Sequence, residues 1–130
     1  MVVKAYKELL VWQKGMILVS QIYSATTVFP KSETYGLTDQ MRRAAVSVPS
    51  NIAEGFGRRS RPEMSRFALI AQGSLYELET QVIIAGNLGY LAPDKSEALD
   101  SLITELSVML QSFVYNLRHP KATKTKIKPS

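Results

Sequence analysis

The chain has 130 residues and no cysteine, enough for one domain with its own core and without disulfides or thiolate metal centres. Its one histidine, His119, leaves neither a histidine cluster for a metal nor a histidine-dependent triad, so no metal and no other cofactor is expected. The net charge of +5 is segregated, with +2 over residues 1–57, +3 over 58–72, −5 over 73–117 and +5 over 118–130.

Clustered basic charge on an otherwise neutral or acidic chain suggests a polyanionic partner, although a basic surface also serves solubility. The opening MVVKAYKELLVWQKG is broken by charges and is followed by no small-residue cleavage site, so it does not read as a signal peptide. The apolar run MILVSQIY is too short to span a bilayer. A soluble, cytoplasmic protein with no membrane partner is expected.

Alternating apolar patterns are almost absent, and the fold class expected is all-α. The first helix is expected over residues 5–28, ended by Pro30. Leu9, Leu10, Val11, Trp12, Met16, Ile17, Leu18, Val19, Ile22 and Tyr23 run nearly all the way round it. A helix apolar on every side must be covered on every side, which an edge helix of a monomeric bundle is not. The second helix is expected over 36–56, closed by Gly55 and Gly57. The third starts after Ser60, where SRPE forms a capping box with Pro62 in the first turn, and runs to Asn87. The fourth starts at Asp94, where DKSE forms a second box, and runs to Arg118 before Pro120.

In the third helix Met64, Ala68, Ala71, Leu75, Leu78, Val82 and Ala85 recur at alternating steps of four and three. Leu99, Ile103, Leu106, Leu110, Phe113 and Leu117 do so in the fourth, with Leu102 and Met109 as a second lane. Such spacing with short connections predicts an up-down-up-down, left-handed four-helix bundle over residues 1–118. Residues 119–130 form a basic tail poor in apolar residues, expected to be disordered. The surplus apolar surface predicts a homo-oligomer.

The second helix carries Pro49 in its middle, which removes a backbone donor and should bend it, with the neighbouring serines able to take up the freed carbonyl. Opposite its apolar stripe lie Arg43, Ser47, Asn51, Glu54 and Arg58. This row reads either as a solvated face or as a buried network in which Arg43 or Arg58 meets Glu54 or Glu79 of the third helix. If it is buried, Glu54→Ala strands an arginine and destabilises the bundle well beyond a surface change.

The segments YGLTDQMRRAAVSVPSNIAEGFGRRS and FALIAQGSLYELETQVIIAGNLGYL resemble a bacterial four-helix-bundle family. Its members were first noticed as reading frames in intervening sequences of 23S ribosomal RNA genes and are sometimes labelled S23 ribosomal proteins. The family pattern is met at Arg42, Arg43, Ser47, Pro49, Asn51, Ala53, Glu54 and Gly55, and again at Ala71, Gly73, Ser74, Leu75, Glu77, Leu78, Glu79 and Thr80. Gln72 stands where relatives often carry a base, so the third helix is expected to offer an anion one group fewer here. The resemblance implies a homopentameric barrel and RNA over DNA as the ligand, and it implies no reaction.

Three functions are weighed. The first is a non-enzymatic oligomer that binds nucleic acid at one basic pole. An up-down bundle gathers Arg58, Arg59, Arg61 and Arg66 with Lys4, Lys7, Arg118, Lys121 and Lys124 at one end, beside the free N–H groups that start the third helix. No row of aromatics stands out, so backbone contact rather than base readout is expected. The second is a structural adaptor for a protein partner, served by the apolar first helix. The third is an enzyme built on Glu54, Glu77 and Glu79, disfavoured because no Glu-x-x-His motif accompanies them.

Overall fold

A computed structural model describes residues 3–120. Four α-helices account for about three quarters of them, and there is no strand among the described residues: α1 (Leu10–Thr26), α2 (Leu37–Gly57), α3 (Arg61–Asn87) and α4 (Pro93–Arg118). Each helix packs against its neighbours in sequence, and α1 closes the bundle against α4. Residues 121–130, most of the expected tail, lie outside the described residues, and Lys121 and Lys124 with them.

Cross-helix pairs fix the antiparallel register. Gly15 faces Pro49 and Thr26 meets Arg42 between α1 and α2. Ser47 meets Ser74 between α2 and α3, and Ser65 meets Arg118 between α3 and α4. Lys14 reaches Glu105 at 3.1 Å between α1 and α4. The bundle is therefore up-down-up-down, with the start of α1, the α2–α3 turn and the end of α4 at one end.

The core follows the apolar spacing. Leu18, Ile22, Met41, Val48, Ile52, Leu75, Leu78, Ile103, Leu106 and Leu110 are essentially inaccessible. Each such side chain contributes about 1.5–3 kcal/mol relative to exposure. Near the end of α4 the buried residue is Val114, while Phe113 is only half-buried. A straight helix of 3.6 residues per turn drifts away from a strict seven-residue repeat, so the next residue comes round to the core. Leu102 and Met109 pack against the core rather than forming an uncovered lane.

Several boundaries depart from expectation. The first helix is shorter than 5–28, because Leu9 is extended (φ −75°, ψ 128°) and the chain before it folds back as a 3-10 turn at Tyr6–Glu8. That turn is held by Gln13 donating to the Lys7 carbonyl at 2.8 Å and by Tyr6 meeting Trp12 edge-on at 5.4 Å. α4 begins at Pro93 with Ala92 as its N-cap, so the DKSE box does not cap it. Proline at the first helical position needs no partner for a missing N–H, and its ring presets φ. At α3 the Ser60 hydroxyl does accept from the Glu63 N–H, but the Glu63 carboxylate turns outward to Arg66.

Pro49 leaves α2 helical from Leu37 to Gly57. It is buried, and α1 lies against it at Gly15, where a Cβ would sit 3.4 Å from the Pro49 Cβ. The neighbouring Ser47 hydroxyl bonds to Ser74 at 2.9 Å and Ser50 is exposed, so the expected serine support of the freed carbonyl is not what Ser47 provides. The proline gives α1 a flat, close-packed surface at a position where glycine admits it.

Candidate nucleic-acid interface

The α2–α3 turn is built tightly. Gly55 lets α2 approach α3, since a Cβ there would lie 2.8 Å from the Phe67 Cβ. Arg58 closes α2, and Arg59 follows in the left-handed region at φ 60°, the only non-glycine residue there among those described. Glycine normally takes this place because a Cβ crowds the carbonyl. Arg59 is exposed; its N–H donates to the Phe56 carbonyl at 3.2 Å, and its side chain makes no hydrogen bond or ion pair with the described residues. Ser60 then caps α3, whose first N–H groups face the same end.

The other arginines of this end are tied down to different degrees. Arg58 pairs with Glu54 at 2.9 Å and lies over the Phe67 ring at 5.0 Å. Arg66 makes two bonds to Glu63, at 3.0 and 3.2 Å, and covers the same ring at 4.6 Å. Its guanidinium, by hydrogen bonding, holds the Glu63 carboxyl below the usual range. Arg61 donates to the carbonyls of Asn116 and Leu117, both at 3.4 Å, and Arg118 donates to the Ser65 hydroxyl at 2.8 Å. These two arginines fasten the last turn of α4 to the first turns of α3, and cations are favoured where carbonyls end a helix. Lys4 and Lys7 are exposed beside the start of α1, where the Lys4 N–H donates to Glu8 at 3.1 Å.

Seven bases thus stand at this end, Lys4, Lys7, Arg58, Arg59, Arg61, Arg66 and Arg118, against Glu8, Glu54 and Glu63. At the far end Lys31, Arg42, Arg43 and Lys95 are matched by Glu33, Asp39, Asp94, Glu97 and Asp100. The basic excess is polar in placement, not spread over the bundle.

The row on α2 does not form one buried network. Arg43 pairs with Asp39 at 2.8 Å, one turn back on its own helix, and reaches neither Glu54 nor Glu79. The Glu54–Arg58 pair is open to solvent, its side chains 53% and 48% exposed. Glu79 lies on α3 beside Tyr76, away from both arginines. Only the middle of the row is joined: Asn51 donates to the Ser47 carbonyl and hydroxyl, and Ser47 meets Ser74 of α3. Residues four apart share a helix face whether or not that face is covered, and here its charged ends pair along α2 itself, with Arg58 also lying over the Phe67 ring of α3.

Gln72 is buried and bonds to Ser107 of α4 at 2.6 Å and to Tyr76, so this position faces the neighbouring helix rather than an anion. Arg42 lies outside the basic end. It bonds to Thr26 at 2.8 Å and stacks on Tyr23, which secures the end of α1. Aromatics give a further departure. Tyr115, on the last turn of α4, and its C-cap His119 stack face to face at 4.0 Å, an aromatic pair where no row of aromatics is expected from sequence. Their spacing of four on one helix is the signal that could have revealed them.

Among the described residues no group of acidic residues and histidine could hold a metal ion, and no helix is long and apolar enough to cross a membrane. Apolar surface nevertheless remains uncovered. Leu10 is 68% exposed on α1, with Met16, Ile17 and Tyr23 also open. Leu69, Tyr76 and Ile83 form a seven-spaced exposed lane on α3, with Val108 exposed on α4. Leu18, by contrast, is fully buried within the single chain, and Trp12 is half-buried.

No curated protein matches the chain significantly. Among solved structures, a crystal structure of a protein of unknown function from the S23 ribosomal protein family of Bacteroides thetaiotaomicron matches it with a TM-score of 0.74. The two are 20% identical over 81% of this chain and 95% of the other, a likeness of fold. The family model described as 23S rRNA-intervening sequence protein matches residues 7–112, which takes in the α2–α3 turn and all but the last residues of α4. The chain belongs to the 23S rRNA-intervening sequence protein family.

Proposed function

We propose that this protein is a non-enzymatic, cytoplasmic homo-oligomer that binds RNA through phosphate contacts at its basic end. The observation that carries the reading is the convergence of seven bases, one of them the unpartnered Arg59, around the capped start of α3. Free N–H groups and guanidinium groups on one surface suit phosphate oxygens. The family description, with its reference to ribosomal RNA genes, favours RNA over DNA. The uncovered apolar surface on α1 and the lane on α3 belong to helices that do not touch each other within the chain, and they favour head-to-tail assembly, for which the family resemblance suggests five copies.

Binding of labelled RNA over a series of salt concentrations tests the reading. Arg58, Arg59 and Arg66 are the appropriate residues to change, because Arg61 and Arg118 also fasten α3 to α4. An Arg58→Gln/Arg59→Gln/Arg66→Gln variant should reduce the slope of log affinity against log salt by about three, one for each phosphate no longer neutralised. Light scattering should give it the same oligomeric mass as the parent. A slope and affinity equal to the parent's would remove the basic end as the site and leave a protein-binding adaptor as the better account.

A further inference from the structure

The end of α4 carries a feature that phosphate binding does not use. The rings of Tyr115 and His119 are stacked with centroids 4.0 Å apart and planes 17° apart. The histidine ring is fixed by a 2.9 Å contact between its Nδ1 and the Tyr115 carbonyl. Both residues are exposed, Tyr115 at 57%. They sit on the turn whose carbonyls Arg61 holds and from which Arg118 reaches Ser65. Rings stacked on each other cover their inner faces and leave an outer face for a further planar group, at reduced entropic cost because the pair is already ordered, within the turn that joins the basic cluster. Bases within a duplex have both faces covered by their neighbours, so such a surface is of use only to an unpaired base.

We infer that the Tyr115–His119 stack is a platform for an unpaired base, and that the ligand of the basic end is single-stranded nucleic acid or a single-stranded loop. The inference rests on the proposed nucleic-acid function and adds the class of ligand to it. The arginines bind the backbone and set the salt dependence. The stacked rings receive one base and set the preference for a single strand, without sequence readout, because every base has a π face.

The test uses the full chain and three RNA probes: a mixed-sequence single strand, the same strand annealed to its complement, and the same strand with abasic positions. The parent should prefer the intact single strand to both others. A Tyr115→Ala/His119→Ala variant should lose about tenfold or more in affinity for that strand, as expected for one base–aromatic stack. Its affinity for the abasic strand and its salt slope should match the parent's, since every phosphate-binding group is still present. A Tyr115→Phe/His119→Phe variant should restore the preference, and circular dichroism melts check that all variants are folded. Equal affinity of the parent for single strand and duplex, or an unaltered affinity of the alanine variant, overturns the platform while leaving phosphate binding in place. Failure of the parent to bind any of the probes overturns both readings.

Discussion

Replacing Arg59 by glycine should raise stability and lower nucleic-acid affinity in the same molecule. Arg59 has φ 60°, where a side chain crowds the following carbonyl at a cost of about 1–2 kcal/mol. Glycine removes that strain but gives the unfolded chain more freedom, which takes back about 0.4–1 kcal/mol. The arginine side chain has no hydrogen bond or ion pair to the described residues for the substitution to remove, and the backbone bond from the Arg59 N–H to the Phe56 carbonyl is open to glycine as well. The net gain lies between about 0 and about 1.6 kcal/mol and centres on about 0.8 kcal/mol. With an unfolding entropy of roughly 2.1 cal/mol/K per residue over the chain, that central value corresponds to a rise in Tm of about 2–4 °C. Arg59→Asn should fall between, because asparagine tolerates this region, and Arg59→Val should lower Tm. Differential scanning calorimetry reads the first effect. RNA titrations over a salt series read the second, as a slope reduced by about 0.9. A Tm for Arg59→Gly at or below the parent's would show that the arginine makes a stabilising contact that outweighs its strain. An unchanged salt slope would remove Arg59 from the interface. A residue that costs stability where it stands, and whose side chain has no hydrogen bond or ion pair among the described residues, is the kind for which a binding role is the economical account.

Gly55→Ala should destabilise by about 1–3 kcal/mol despite alanine's better helix propensity, because its Cβ meets the Phe67 Cβ at 2.8 Å and the Met64 Cα at 3.3 Å; a denaturant midpoint equal to the parent's would mean that α3 can back away freely. Glu54→Ala should cost no more than about 0.5 kcal/mol, the scale of an exposed pair one turn apart, and a loss of several kcal/mol on thermal melting would restore the buried-network reading. Glu33 accepts from the Leu37 N–H at 3.0 Å and from the Tyr90 hydroxyl at 2.9 Å, and these bonds hold its carboxyl below the usual range. Its contribution is complete above the ordinary carboxylate range and is lost as pH falls through the lower folded value. The stability of a Glu33→Gln variant should consequently fall less steeply on acidification than the parent's, and parallel curves from chemical denaturation would refute that role.

The four helices, their antiparallel order and most of the core were legible in the residues themselves. Periodicity reports which face of a helix is apolar, and short connections leave neighbouring helices only one direction. The family was legible too, in the run from Arg42 to Gly55 and in that from Ala71 to Thr80. The gathering of basic residues at one end follows from topology alone. What each polar residue does required the tertiary structure. Ser47 and Asn51 share a face with Glu54 and Arg58, yet of the four only Ser47 hydrogen-bonds across to α3, while Glu54 and Arg58 pair with each other in the open, because sequence spacing fixes angle about one helix and not the distance to the next. Pro49 is expected from sequence to bend α2; that it also packs against Gly15 is a pairing between residues 34 positions apart that no local pattern signals. Gln72 looks like a weakened anion site and faces α4 instead. The strain at Arg59 is equally hidden, since backbone φ at a turn is set by how closely the two helices it joins must pack. Sequence decided which end of the bundle is basic; packing decided which arginines there are committed to holding the bundle together and which remain available.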